Sequence, residues 1–372
     1  MKCAVLSFCV FLSTVSFSQE RTSLIIQKNV EASLTSLVSP ILDSETGEET
    51  VYVNQLYVGE NAKLYIQRPL TINAKKVILK SKGTIHTLGN SLTLKTEVFE
   101  ALNFKPLESN LSDDQRKDLM GRIDTRHKEE LHHGKNGVDK QSVADKGKNG
   151  ESDGSHIEDP KEGSSGEKGE DGTEGKNAGS LTLYVKTFLG GYFDARGGNG
   201  GQGGKGGKGG PGGDGFPLET YASKWRNDVL WNEMTGEQIR FFNNGAKGGP
   251  GGQGGHGKKG GNGGNVSIFY KESDSSSEKI LYIFNEGGKG GKEGKKGDGG
   301  EGGKGVTVSI LKDSNRFGDI EGRLRKVVTA IGDIFLYHDG EDGAQGLLGQ
   351  PGSHGEDGIA GEVTRPIQKY DF

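Results

Sequence analysis

The sequence predicts a mainly β protein: a β-solenoid-like scaffold carrying a bundle of polyglycine-II (polyproline-II-type) helices. Three observations lead there. Apolar pairs recur at alternate positions over residues 51–98; glycine recurs at every third position through five later segments; and the strand pattern resumes between those segments, at Leu181/Leu183/Val185, Val266/Ile268, Ile280/Tyr282 and Val306/Val308/Ile310. A period of two marks a half-buried strand. A period of three marks a helix with three residues per turn.

The chain begins with Lys2, an apolar stretch from Cys3 to Val15, and Ser16-Phe17-Ser18. This reads as a secretory signal peptide, residues 1–18. The apolar stretch is too short to span a bilayer, so no transmembrane span is expected. The two cysteines of the chain, Cys3 and Cys9, fall inside this leader. The mature protein is therefore expected to have no disulfide, no cysteine-based metal site and no thiol nucleophile. A formal charge of -4 argues against nucleic acid as a partner. The expected location is extracellular, or the outer cell surface.

Residues 19–106 form an N-terminal β region. Val51/Val53, Leu56/Val58, Leu64/Ile66, Leu70/Ile72, Val77/Leu79 and Leu92/Leu94 supply its apolar pairs, while residues 24–42 alternate without a clean repeat. Residues 107–133 are a polar connector. Within it Ser112 precedes Gln115 by three positions, a capping box that opens a short surface helix. Residues 134–361 hold the glycine-rich bundle and the strands between its segments, and residues 362–372 are a C-terminal tail.

Residues 197–213 read Gly-Gly-X without a slip. Glycine holds every third position over 245–263 and 288–303, and Gly-X-X runs over 163–175 and 340–361. A flexible linker needs only composition, not register. Register matters when glycine must leave one edge of a rod bare, or two edges in Gly-Gly-X, so that a neighbouring backbone can hydrogen-bond there. Ordering a residue costs about 1–2 kcal/mol. One inter-rod bond returns about 0.5–1.5 kcal/mol. A lone rod is thus unstable, and the rods must pack together with their ends fixed on the scaffold. The Gly-Gly-X rods belong in the centre and the Gly-X-X rods on the flanks. At roughly 3.1 Å per residue, a rod from Gly197 to Gly215 would reach roughly 59 Å. Collagen is the weaker reading, because these segments hold only Pro211, Pro250 and Pro351.

These runs resemble the polyglycine-II bundles of some phage tail-fibre adhesin tips and of the snow-flea type of antifreeze protein. The passages "DARGGNGG" and "GGNGGNVSIF", where strands lead into glycine and out again, are similar to glycine-rich, collagen-like secreted bacterial proteins built on β-helices. The likeness covers residues 134–361 and implies an architecture rather than an activity.

Charge falls on the X positions. The segments 197–215, 245–265 and 287–305 are net basic, whereas 163–179 and 340–361 are net acidic. Complementary rods and solubility account for this more simply than a polyanion-binding stripe. The aromatic-rich insert 216–244 is the candidate ligand-contact tip. It carries Phe216, Tyr221, Trp225, Arg226, Trp231, Arg240, Phe241 and Phe242, residue types that dominate binding hot spots. If the flanking runs are antiparallel, this insert caps their far end, either as an aromatic plug or as a contact surface for a cell-surface glycan or protein receptor. His127, His132 and His133 match no metal template and read as surface histidines, while Asp339, Asp342 and Asp357 read as solvated X positions rather than calcium ligands. No phosphate loop, zinc signature or nucleophile elbow is present. A non-catalytic structural or adhesive protein without cofactor or metal is expected. The rivals are an ice-binding protein and a polysaccharide-active β-helix enzyme.

Overall fold

The computed structural model describes residues 22–42, 48–101, 111–152, 157–215, 244–273, 281–305 and 341–364. The expected leader (residues 1–18), Ile280 and the strand expected at Val306–Ile310 lie outside these residues.

The chain is mainly β. In order it forms β1 (Leu24–Ile26), β2 (Glu31–Ser33), the single turn α1 (Leu34–Leu37), β3 (Ile41–Leu42), β4 (Glu49–Val58), β5 (Lys63–Tyr65), β6 (Leu70–Leu79), β7 (Thr84–His86) and β8 (Leu92–Glu100). Then come α2 (Asp113–Asp118), β9 (Arg122–Asp124), α3 (Glu129–His132), the pair β10 (Glu151–Ser152) and β11 (Ile157–Glu158), β12 (Leu181–Leu189), β13 (Gly191–Asp194), β14 (Val266–Ser273), β15 (Leu281–Phe284) and β16 (Val363–Thr364). Two sheets result. The larger runs β1-β4-β6-β8-β12-β14-β16, with β3 on β4, and the smaller β15-β13-β9-β7-β5-β2. From β4 to β16 the chain visits the two alternately, apart from the short β10-β11 pair. Every pairing within them is parallel except that of β3 with β4. Strands of the N-terminal region and of the glycine-rich region thus share both sheets.

Parallel register stacks like on like. Val51, Ile72, Leu94, Leu183 and Ile268 stand opposite one another across the larger sheet, each at most 1% exposed. Leu64, Ile85, Ile123 and Phe193 do the same on the smaller one. Phe99, Phe188 and Phe193 are fully buried with ring centroids 5.9–6.4 Å apart. Equivalent corners between the sheets use left-handed residues: Asn29 (φ 59), Asn61 (φ 53) and Lys82 (φ 55). Asparagine tolerates that conformation and lysine is strained in it. Helix α2 carries the expected capping box: the Ser112 N–H donates to Gln115 Oε1 at 2.8 Å and the Gln115 N–H to Ser112 Oγ at 3.3 Å. The polar connector also contributes β9 to the smaller sheet.

Six glycine-rich runs point alternately away from and back towards the sheets: residues 134–150, 161–180, 197–215, 244–265, 285–305 and 341–362. Consecutive runs are antiparallel. Gly204 N–H donates to Glu170 O (2.7 Å), Gly255 to Gly204 (2.8 Å), Gly294 to Gly255 (2.8 Å) and Gly352 to Gly294 (3.1 Å). Alternate runs are parallel. Gly137 donates to Gln202 (2.7 Å), Gly169 to Gln253 (2.8 Å), Gly203 to Lys292 (2.9 Å) and Gly254 to Gln350 (2.8 Å). Most of these contacts repeat every third residue along the runs, so odd-numbered runs form one layer and even-numbered runs the other. The third and fourth runs each bond to four neighbours. They are also the purest Gly-Gly-X, because a rod enclosed on more sides needs more bare edges. A Cβ on Gly203 would overlap the Gly255 carbonyl oxygen, and one on Gly204 that of Val138.

The first run, 134–150, is absent from the sequence reading. Its glycines at 134 and 137 are out of phase with those at 147 and 150. The hydrogen bonds explain the slip: Lys140 pairs with Lys205 but Ala144 with Lys208, so four residues oppose three. Val143 is the exposed bulge, bridged to Lys208. An edge run needs fewer bare positions and survives the interruption.

Candidate functional site

The side chains that leave the runs come from the X positions. They first serve the lattice. A backbone N–H at an X position faces outward, and an Asn, Asp or His of the parallel run alongside accepts from it. Asn199 N–H donates to His133 Nδ1 (2.9 Å) and Lys289 N–H to Asn199 Oδ1 (2.8 Å). Asn262 N–H donates to Asn177 Oδ1 (2.7 Å) and Ile359 N–H to Asn262 Oδ1 (3.0 Å). His256 N–H donates to Asp171 Oδ1 (2.9 Å) and Ser353 N–H to His256 Nδ1 (2.9 Å). Asp357 and Asp342, read from sequence as solvated, are exposed and also accept from the Gly290 and Gly305 N–H groups at 2.6 and 2.8 Å. These short polar side chains act as cross-run caps, a role that period and composition do not announce.

Charged X positions pair across runs: Lys205 with Asp298 (3.5 Å), Lys208 with Glu301 (3.1 Å) and Lys258 with Asp171 (3.2 Å). The His256 N–H, with Lys258 and Lys168, holds the Asp171 carboxyl well below the usual carboxylate range. Exposed pairs of this kind are individually worth about 0–1 kcal/mol.

The bases of the first and third runs are built alike. Strands β9 and β13 of the smaller sheet each lead into Asp-X-Arg: Asp124-Thr125-Arg126 and Asp194-Ala195-Arg196. Arg126 grips Asp124 through Nε (3.0 Å) and Nη2 (2.8 Å), and Arg196 grips Asp194 at 2.9 and 2.6 Å. Register sets the two aspartates side by side, and Arg126 Nε also lies 3.4 Å from Asp194. Burial alone would raise the Asp124 carboxyl, but the Arg126 bonds prevail and lower it. Asp194 is 3% exposed. The like charges are tolerated only because two guanidiniums interleave with them. His132 closes this end. It is 2% exposed, not a surface residue, and its ring packs 4.8 Å from that of His133. Its Nδ1 has no hydrogen-bond partner, and burial pushes its pKa down to about 4. The arrangement anchors the runs. It brings no nucleophile to a base, and no group of three metal-ligating side chains occurs among the described residues.

Phe216, Tyr221, Trp225, Arg226, Trp231, Arg240, Phe241 and Phe242 lie outside the described residues, as does Asp339. The runs on either side of them are antiparallel: Gly213 O accepts from Ala246 N–H at 2.8 Å. Gly215 and Asn244 therefore stand at the ends of the runs away from the sheets. No described helix is long and apolar enough to cross a membrane. No family model matches the chain, and neither a curated protein nor a solved structure is significantly similar to it.

Proposed function

We propose that this is a secreted, non-catalytic protein of the extracellular space or cell surface, and that its work is adhesion or surface structure through a rigid projection. On this reading the alternating sheets wind as a solenoid-like coil, one corner of which has grown into a polyglycine-II bundle. The segment 216–244 is its contact tip, presenting aromatic and arginine side chains to a glycan or protein receptor. The supporting observation is the lattice itself: backbone bonds at every third residue tie each run to at least two others. Such a lattice keeps a projection of roughly 59 Å stiff at roughly 3.1 Å per residue.

The test is binding of the purified mature chain to cells and to a glycan array, beside a form in which 216–244 is replaced by a short Gly-Ser link. Loss of binding with an unchanged circular dichroism spectrum supports an adhesive tip. Equal binding by both forms refutes it.

Ice binding is a second reading that one observation favours. Thr50, Thr71, Thr93, Thr182, Ser267 and Thr364 stand in register on successive strands of the larger sheet. The row is single, however, and its Thr50 and Thr71 are buried. Absence of thermal hysteresis in the pure protein would remove this reading.

A further inference from the structure

The outer surface of the larger sheet repeats one chemical order on adjacent strands. On β12 the outward residues are Thr182, Tyr184 and Lys186, alternating with the buried Leu181, Leu183 and Val185. On β14 they are Ser267, Phe269 and Lys271. Register sets Thr182 beside Ser267 and Tyr184 beside Phe269, and the two rings stack with centroids 5.0 Å apart at 13°. Hydroxyl, aromatic ring and ammonium thus follow one another along β12 and β14. On β8 the hydroxyl column continues as Thr93 beside Thr182, whereas Lys95 stands beside Tyr184 and Glu97 takes the third outward position.

Lys95, Lys186 and Lys271 are exposed. Among the described residues none of them forms an ion pair. This contrasts with Lys76 on the neighbouring strand, which pairs with Glu100 at 3.0 Å. Alternation with core residues keeps all three at fixed positions on a rigid sheet.

We infer that this face binds a linear acidic polysaccharide, without cleaving it. Each part of the surface has a counterpart in such a polymer. The apolar faces of sugar rings pack against the outward edges of the Tyr184–Phe269 pair. Ring hydroxyls exchange hydrogen bonds with the Thr and Ser column. Carboxylates meet the unpaired lysines, which act as point charges. Strands about 4.8 Å apart offer this set repeatedly to a chain laid across them. A nucleic acid fits less well, because phosphate-backbone binders carry dense positive charge and this face offers three lysines. The site lies on the sheets and is independent of the 216–244 tip.

Affinity electrophoresis of the mature chain in gels containing polygalacturonate tests the inference, with dextran and single-stranded poly-dT gels as comparisons. Retardation by polygalacturonate alone is expected. The triple variant Lys95→Gln/Lys186→Gln/Lys271→Gln should weaken it by about tenfold, the scale of three exposed ion pairs. Its substitutions are all at exposed positions, so circular dichroism should match the parent. Phe269→Leu, which keeps an apolar side chain but removes the ring, should weaken it as well. Replacing 216–244 with a Gly-Ser link should leave retardation intact, so this face and the proposed tip fail separately. No retardation of the parent, full retardation of the triple variant, or equal retardation by poly-dT would each overturn the inference.

Discussion

Gly204→Ala is the sharpest perturbation of the glycine lattice. Gly204 sits in the third run, the interior of the odd layer. Its N–H donates to Glu170 O at 2.7 Å and its carbonyl accepts from Gly255 N–H at 2.8 Å. A methyl group placed there would overlap the Val138 carbonyl oxygen of the first run, which is backbone and has no rotamer to yield. The third run must move away. That strains its bonds to the second and fourth runs, and to the first run at Gln202 and Lys205, which accept from Gly137 and Lys140 at 2.7 and 2.9 Å. Loss of three or four bonds at about 1 kcal/mol each, the middle of the usual range, gives roughly 3–4 kcal/mol. The alanine also stiffens the unfolded chain, which returns about 0.4–1 kcal/mol. A net destabilisation of roughly 2–4 kcal/mol remains. The assay is calorimetric unfolding of the mature chain, with amide exchange followed in peptides spanning 197–215. The variant should melt on the order of 5 °C lower and lose protection in the first, second and third runs together. The control Gln202→Ala, at an outward X position, should change stability by at most about 0.5 kcal/mol. The sign makes the test decisive, because in a disordered segment alanine for glycine is neutral or slightly stabilising. An unchanged or raised melting temperature for Gly204→Ala would refute the lattice.

Three further outcomes are expected. Asp194→Asn leaves Arg126 and Arg196 facing a neutral group in a buried network, and by urea titration it should cost about 3–5 kcal/mol, far more than Asp298→Asn at an exposed pair. Asn199→Ala removes the acceptor for the Lys289 N–H, and in the same titration it should cost about 1 kcal/mol, whereas Asn199→Asp should cost less. His132 titrates in the opposite sense to a paired histidine. Its folded pKa lies below the unfolded value, so the stability tied to its neutral form is fully present above about pH 6.5 and is lost as pH falls from there towards about 4. His132→Leu should flatten the stability profile across that window, and an unchanged slope would show that another group sets it.

What could be read from the sequence was whatever repeats. The strands at Val51/Val53 and Leu70/Ile72 were legible because a half-buried parallel sheet enforces alternation, and the Ser112–Gln115 cap because its two hydrogen bonds need those two side chains at that spacing. The central place of the Gly-Gly-X runs followed from counting bare edges. The first run escaped because one bulged residue at Val143 puts its glycines out of phase, and edge positions such as Lys140 and Ala144 tolerate side chains. His132 was misjudged because three histidines beside Glu129 and Glu130 look solvated in one dimension, while the Asp-X-Arg anchors that bury it belong to strands far apart in the chain. The caps from Asn199, Asn262 and Asp357 could not be foreseen for a deeper reason. Each acts on a backbone N–H 67 to 97 residues away, and that pairing exists only once the offset between neighbouring runs is fixed. The offset is set by the lengths of the turns and strands that return the chain to the sheets. A polar side chain that looks like solubility in sequence is therefore, in this architecture, the element that locks neighbouring runs in register, and Asn199→Ala separates those two roles.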